Sequence, residues 1–154
     1  MLFLLFQLGD DRYALEIGQI VEVLPMVSVK EIPQAAPGVA GVFNYRGAPV
    51  PLIDLSELAL RTPSRPRIST RIILVQYVGE AGPAHLLGLL AEKTTETLRR
   101  AEADFVDSGV SVDAAPYLGP VTTDSRGIIQ RVEVTRLLPA RVRDQLFRQP
   151  LGPA

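Results

Sequence analysis

The stretch from Gly41 to Leu55, Gly-Val-Phe-Asn-Tyr-Arg-Gly-Ala-Pro-Val-Pro-Leu-Ile-Asp-Leu, limits the possible folds more than any other. It reads as two apolar strands joined by the polar turn Asn44-Tyr45-Arg46-Gly47, which is a hairpin signature. The second strand carries Pro49 and Pro51. Proline has no N–H, and residues two apart aim their backbone donors the same way. Such a strand suits a sheet edge or bulge better than a central ladder. At the tip sits one permanent cation, Arg46. Arg beside Tyr is the composition of an interface anchor. The competing reading is an exposed loop arginine that ties down its own turn.

The other segments repeat this style of short strands and turns. Phe3 to Leu8 is a strand, and Gly9 to Arg12 a turn. Tyr13, Leu15 and Ile17 return on one face at period two. After a break at Gly18-Gln19-Ile20, Val21 to Leu24 is a strand ended by Pro25. Glu22 alternates away from Val21 and Val23, so it is expected to face solvent or a partner. Val27 to Ile32 reads as extended and Pro33 to Gly38 as loop. Asp54-Leu55-Ser56-Glu57 resembles a capping box opening a short helix. Arg71 to Val78 is nearly all apolar and is expected to be covered on both faces. Gly79 to Pro83 is a turn, His85 to Ala91 the return, and Thr94 to Leu98 a further strand. Ala101 to Ser108 is an acidic loop with a helical turn. Tyr117 to Thr123 and Gly127 to Val134 form a last hairpin. Pro139 suits the first turn of a tail helix with Val142, Leu146 and Phe147 on one side. Gln149 to Ala154 is expected to fray.

Many short strands with little helix predict an all-β chain. The spacing predicts two small five-stranded barrels within residues 1–138: one over about 1–60, a linker at 61–69, and one over about 70–138, followed by a helix and tail at 139–154. The linker, Arg61-Thr62-Pro63-Ser64-Arg65-Pro66-Arg67, is basic and proline-rich. At 154 residues the chain is long enough for a core without staples, and with no cysteine it has none. A net charge of −1 argues against nucleic-acid binding by phosphate neutralisation. The apolar run at Met1 to Phe6 lacks a basic flank and is too short to span or insert directly into a membrane.

A set of catalytic groups is hard to find. His85 is the lone histidine and sits among apolar neighbours, which reads as a partly buried strand residue. Asp10-Asp11 and the Glu102/Asp104 pair fall in turns, where solvated carboxylates are ordinary. No serine sits in a G-x-S-x-G setting, and Gly38-Val39-Ala40-Gly41 lacks the Lys-Ser/Thr of a phosphate loop. Arg46 is the residue that remains.

The hairpin resembles that of the CheW family, the coupling proteins of bacterial chemosensory arrays. The likeness runs from about Phe3 to Leu138. It rests on Leu5-Phe6-Gln7-Leu8-Gly9-Asp10-Asp11-Arg12-Tyr13-Ala14-Leu15, Val21-Glu22-Val23, Gly41-Val42-Phe43-Asn44-Tyr45-Arg46-Gly47 and Val50-Pro51-Leu52-Ile53-Asp54-Leu55. The resemblance implies paired SH3-like five-stranded barrels with a groove between them, no enzyme activity and no cofactor. It implies two partners, the regulatory domain of a CheA-type histidine kinase and the cytoplasmic tip of a methyl-accepting chemoreceptor, and a cytoplasmic place on receptor arrays. By position, Ile20, Gly41 and Val42 fall at the family's kinase interface. Glu22, Asn44, Arg46 and Gly47 fall at its receptor-coupling positions, and Ile72 falls near its receptor-facing groove. Tyr45, the basic connector and the Arg-rich tail look closer to a Wsp-like surface-sensing adaptor, with cyclic diguanylate as output. Two readings from other classes stay open: a barrel that binds a small molecule or peptide outside chemosensing, and an enzyme using Asp54, His85 and a distant acid.

Overall fold

The computed structural model describes residues 1–78 and 83–147. Residues 79–82 of the turn expected at Gly79 to Pro83, and the tail from Gln149, lie outside them. The chain is all-β as expected, with strands β1 (Leu2–Leu8), β2 (Asp11–Glu16), β3 (Ile20–Pro25), β4 (Val39–Tyr45), β5 (Ala48–Asp54), β6 (Arg71–Tyr77), β7 (His85–Arg99), β8 (Leu118–Asp124) and β9 (Gly127–Val132). Its helices α1 (Leu55–Leu60) and α2 (Ala140–Leu146) are short. Val27 to Ile32 is not a strand; only Lys30 pairs, in a single bridge to Val42.

Strand β7 organises the molecule. Its 15 residues span about 50 Å, too long for one small barrel. His85 to Ala91 pairs antiparallel with β6, and Gly88 to Leu90 pairs parallel with β5. From Glu92 onward the strand pairs with β1 instead. Lys93, at the changeover, has a left-handed φ of 49°. The separate strand expected at Thr94 to Leu98 is therefore the far half of β7. One five-stranded set runs β3-β6-β7-β5-β4 and the other β7-β1-β2-β9-β8.

This pairing departs from the expected division at 61–69. β1 and β2 join β8 and β9, whereas β3 to β5 join β6. A tight helical turn, Ile17–Gln19, carries the chain from one set to the other too abruptly for β2 and β3 to form a hairpin. The connector is not a loose linker either. The backbone N–H and the hydroxyl of Ser64 both donate to the Asp54 carboxylate (2.9 and 2.6 Å), and Arg65 Nε donates to the buried Glu92 (2.9 Å). Asp54 also caps α1 by accepting the N–H groups of Ser56 and Glu57. The reciprocal half of the expected capping box is missing, because the Asp54 N–H donates to the Gly38 carbonyl instead.

The alternation of β6 explains its apolar run. Ile72 and Leu74 enter a small core with Phe43, Val50, Leu52 and Leu90, inside the first set. Ile73, Val75 and Tyr77 enter the largest core, which lies between the two sets and also holds Leu4, Phe6, Leu15, Leu87, Leu89 and Val142. Phe3, Leu5, Ala14 and Ile129 fill the second set. The tail helix folds back onto the strands. Val142 is buried, and the Phe147 ring stacks on His85 (4.5 Å between centroids) and Tyr77 (5.6 Å). His85 is thus a half-buried strand residue held by an aromatic contact.

Neither set closes into a complete ring. Among the described residues no ladder joins β3 to β4, and the Lys30–Val42 bridge alone spans that seam by backbone. A single Val106–Val121 bridge likewise covers the outer edge of β8.

Candidate interaction surface

The seam between β3 and β4 gathers the charged residues singled out above. Tyr45 pairs with Ala48, which leaves Arg46-Gly47 as a two-residue loop. The loop sits one residue later than expected, and Asn44 and Tyr45 belong to β4. Both loop residues are left-handed, with φ of 50° at Arg46 and 87° at Gly47, the pattern of a type I′ hairpin turn. The Asn44 side-chain oxygen accepts the Gly47 N–H at 2.8 Å and braces the turn. Glycine suits its position freely. Arg46 does not, since a left-handed backbone costs a residue with a Cβ roughly 1–2 kcal/mol. The cation is presented in spite of that cost.

Three side chains close the seam that backbone leaves open. The Tyr45 hydroxyl donates to Glu22 Oε2 at 2.6 Å. Arg46 Nη2 lies 3.5 Å from the same oxygen, and its guanidinium carbon sits 5.2 Å from the Tyr45 ring centroid. The hydrogen bond to Glu22 raises the Tyr45 pKa above the usual phenol value, because ionisation would destroy the bond and set two negative charges together. Arg46 stays 76% exposed, so the pair contributes little stability on its own.

Glu22 lies on the opposite face of β3 from the one expected. It shares a face with Leu24, opposite Leu74 and Ile72 of the first set's core, whereas a register shift between Ile20 and Glu22 turns Ile20 to the central core; Val21, Val23 and Pro25 are exposed. Both faces of this strand are largely apolar, so alternation alone does not reveal which one the core takes. Val21 (46% exposed) and Val23 (36%) therefore form an apolar row on an edge strand, continued by Met26 and Val27. Sequence reasoning missed this row; its signal is an apolar strand with only one neighbour.

The remaining expected positions are placed differently. Ile20 is half-buried, packs against the central core and pairs with Val75. Gly41 is buried with φ of 146°, and a Cβ there would collide with the Lys30 carbonyl. Val42 exchanges both backbone hydrogen bonds with Lys30 (2.8 and 2.9 Å). The 26–32 segment thus covers Gly41 and Val42 from within the chain. Ile72, expected near a groove, has no exposed surface and packs in the core of the first set. Pro49 and Pro51 lie where β5 has β4 alone as its neighbour, since β5 meets β7 only from Leu52 onward. That is the edge placement their missing donors require.

The chain is thus an open-sheet all-β domain with an apolar row on the edge strand β3, beside a left-handed, charge-paired arginine tip. More particularly, the chain belongs to the CheW-like domain family, which residues 2–142 match. It is 29% identical over 103 residues to the chemotaxis protein CheW of Helicobacter pylori (66% of this chain, 59% of that protein). It is 26% identical over 113 residues to protein FrzA of Myxococcus xanthus (73% and 68%). The chain spans about three-fifths of the length of the first curated relatives it matches. The fold resembles the crystal structure of the scaffolding protein TtCheW from Thermoanaerobacter tengcongensis, with a TM-score of 0.79 and 22% identity over 92% of this chain and 89% of that one.

Proposed function

We propose that the chain is a non-catalytic adaptor that couples the signalling tip of a methyl-accepting chemoreceptor to the regulatory domain of a CheA-type histidine kinase. The observation that carries this reading is the unladdered β3–β4 seam, where the exposed Val21 and Val23 lie on the same strand as the Glu22–Tyr45–Arg46 cluster. An exposed edge strand is a ready template for another protein, and apolar side chains beside an Arg and a Tyr supply contact energy and register. Coupling is mechanical in this reading. One partner packs on the free edge, the other engages the arginine tip, and the rigid β6–β7 core transmits between them. The chain works in the cytoplasm, recruited to membrane-anchored receptor arrays. The Tyr45 and Arg-rich features extend the reading to an array whose output is cyclic diguanylate.

The test is a three-component reconstitution of this chain, a CheA-type histidine kinase from the same organism and a soluble receptor-tip fragment. Receptor-dependent kinase autophosphorylation should require the chain. It should fall at least about tenfold in Val23→Glu, which places a charge in the centre of the apolar row. No dependence on the chain refutes the adaptor reading, and dependence that Val23→Glu leaves intact refutes the assignment of the β3 edge.

A further inference from the structure

The basic connector plays no part in the adaptor site, yet it is built as a surface. Four contacts hold it rigid: Ser64 on Asp54, Arg65 on the buried Glu92, the Thr70 hydroxyl on the Arg65 carbonyl (2.5 Å), and the Thr94 N–H on the Ser69 carbonyl (3.0 Å). This scaffold holds Ile68 at 95% exposure, the most exposed large apolar residue among those described. A single exposed aliphatic is common, but this one follows Arg67 on a loop that these contacts brace.

The cations around it are available. Among the described residues Arg67, the neighbour of Ile68 in the chain, and Lys93 have no carboxylate within ion-pair distance. Lys93 stands at the β7 changeover with its left-handed backbone, next to the residue whose N–H binds Ser69. Ser69, Lys93 and Thr95 line one recess of about 360 Å³ together with Arg12, Glu96 and Arg126. Arg126 is held by Glu96 (2.7 Å) and Arg12 by Asp124, so each keeps further N–H donors free of those carboxylates. On this face cations outnumber carboxylates, against a chain whose net charge is −1.

We propose that the 61–69 connector and the recess beside it form a second docking surface, which takes an acidic segment of a partner protein carrying an apolar side chain against Ile68. Charge complementarity sets the sign of the partner. Two features favour protein over a phosphate backbone. Carboxylates of Glu96 and Asp124 are interspersed among the cations, which penalises a dense line of phosphates. The apolar Ile68 sits between Arg67 and the recess, where it matches a side chain and not a sugar–phosphate chain. The surface is separate from the Arg46 tip, so it stands or falls independently of the adaptor reading.

The experiment uses the full chain and a fluorescent peptide of repeated Glu-Glu-Leu triplets, read by anisotropy. Binding should weaken steeply as salt rises from about 0.01 to about 0.15 M, over which the screening length falls from about 30 to about 8 Å. Arg67→Glu should weaken it at least about tenfold and Ile68→Ser about threefold, whereas Arg99→Glu at the far end of β7 changes it less than about twofold. These residues are exposed, so thermal melts should be unchanged and loss of binding is not loss of fold. Absence of peptide binding, or equal weakening by Arg67→Glu and Arg99→Glu, overturns the proposal. So does equal or tighter binding to phosphatidylserine vesicles or to an oligothymidine, since either assigns the face to another class of partner.

Discussion

The hydroxyl of Tyr45 donates a 2.6 Å hydrogen bond to Glu22 across a seam that no strand ladder closes. Two consecutive strands with no ladder between them are held together there by side chains, and the same carboxylate faces Arg46 at 3.5 Å. Tyr45→Phe should therefore loosen the seam without unfolding the chain. Hydrogen exchange should speed up at the Lys30 and Val42 amides, which bridge the same seam, and stay unchanged in β6. In Glu22→Gln the Tyr45 pKa should fall back toward its usual value of about 10 in an absorbance titration.

Arg46 sits at a backbone position that favours asparagine or glycine. Arg46→Asn creates the Asn-Gly pair preferred in type I′ turns. It should raise stability in chemical denaturation by about 0.5–1 kcal/mol, the relieved backbone cost less the small value of an exposed ion pair. The same variant should lose coupling. If Arg46 belongs to the coupling surface, stability and function pull in opposite directions there, as strain kept at a functional site requires.

Gly41 is required by the close approach of Lys30. Gly41→Ala combines a left-handed φ with a backbone collision, so the Lys30–Val42 bridge must break. A loss of about 2 kcal/mol or more is expected in urea denaturation. A loss under about 0.5 kcal/mol would mean that the 26–32 segment is not seated on β4.

The second set carries a pH-dependent staple. Arg12, nearly buried, donates twice to Asp124, at 2.7 Å through Nη1 and again through Nη2. The hydrogen bond from Arg12 holds the Asp124 carboxyl well below the usual carboxylate range. A carboxylate depressed in the folded state contributes stability that is complete above the ordinary aspartate pKa of about 3.9 and is lost as pH falls toward the folded value. Asp124→Asn should thus lower the melting temperature at neutral pH. The gap from the unmodified chain should stay constant down to about pH 5 and narrow below about pH 4. A gap that widens with acid would reverse the sign of this coupling.

How much of this was legible in the chain depended on range. The apolar run of β6 announced cover on both faces, and it has two different cores to serve. Pro49 and Pro51 announced an edge. The face of Glu22 was not legible, because the register shift that sends Ile20 to the central core and Leu24 to the core of the first set is fixed only by pairing with β6. The interleaving of the two sets was hidden because β7 reads as two ordinary strands until its single length is known. Arg12 and Asp124, 112 residues apart, carry no local signal of their pairing. Ser64, in a stretch that reads as a basic, proline-rich connector, gave no hint that it anchors to Asp54. Arg46 was legible as an outlier at the hairpin tip, and its link to Glu22 came only through family resemblance.

The decisive measurement is receptor-dependent autophosphorylation of the kinase in the reconstituted three-component system with Arg46→Glu. The substitution leaves the exposed tip exposed and turns the attraction to Glu22 into repulsion, so the melting temperature should move little. If Arg46 is part of the coupling surface, kinase stimulation should drop at least about tenfold while the fold stays intact. Full stimulation by a folded Arg46→Glu protein would show that the tip only shapes its own hairpin, and the site would have to be sought elsewhere on the molecule.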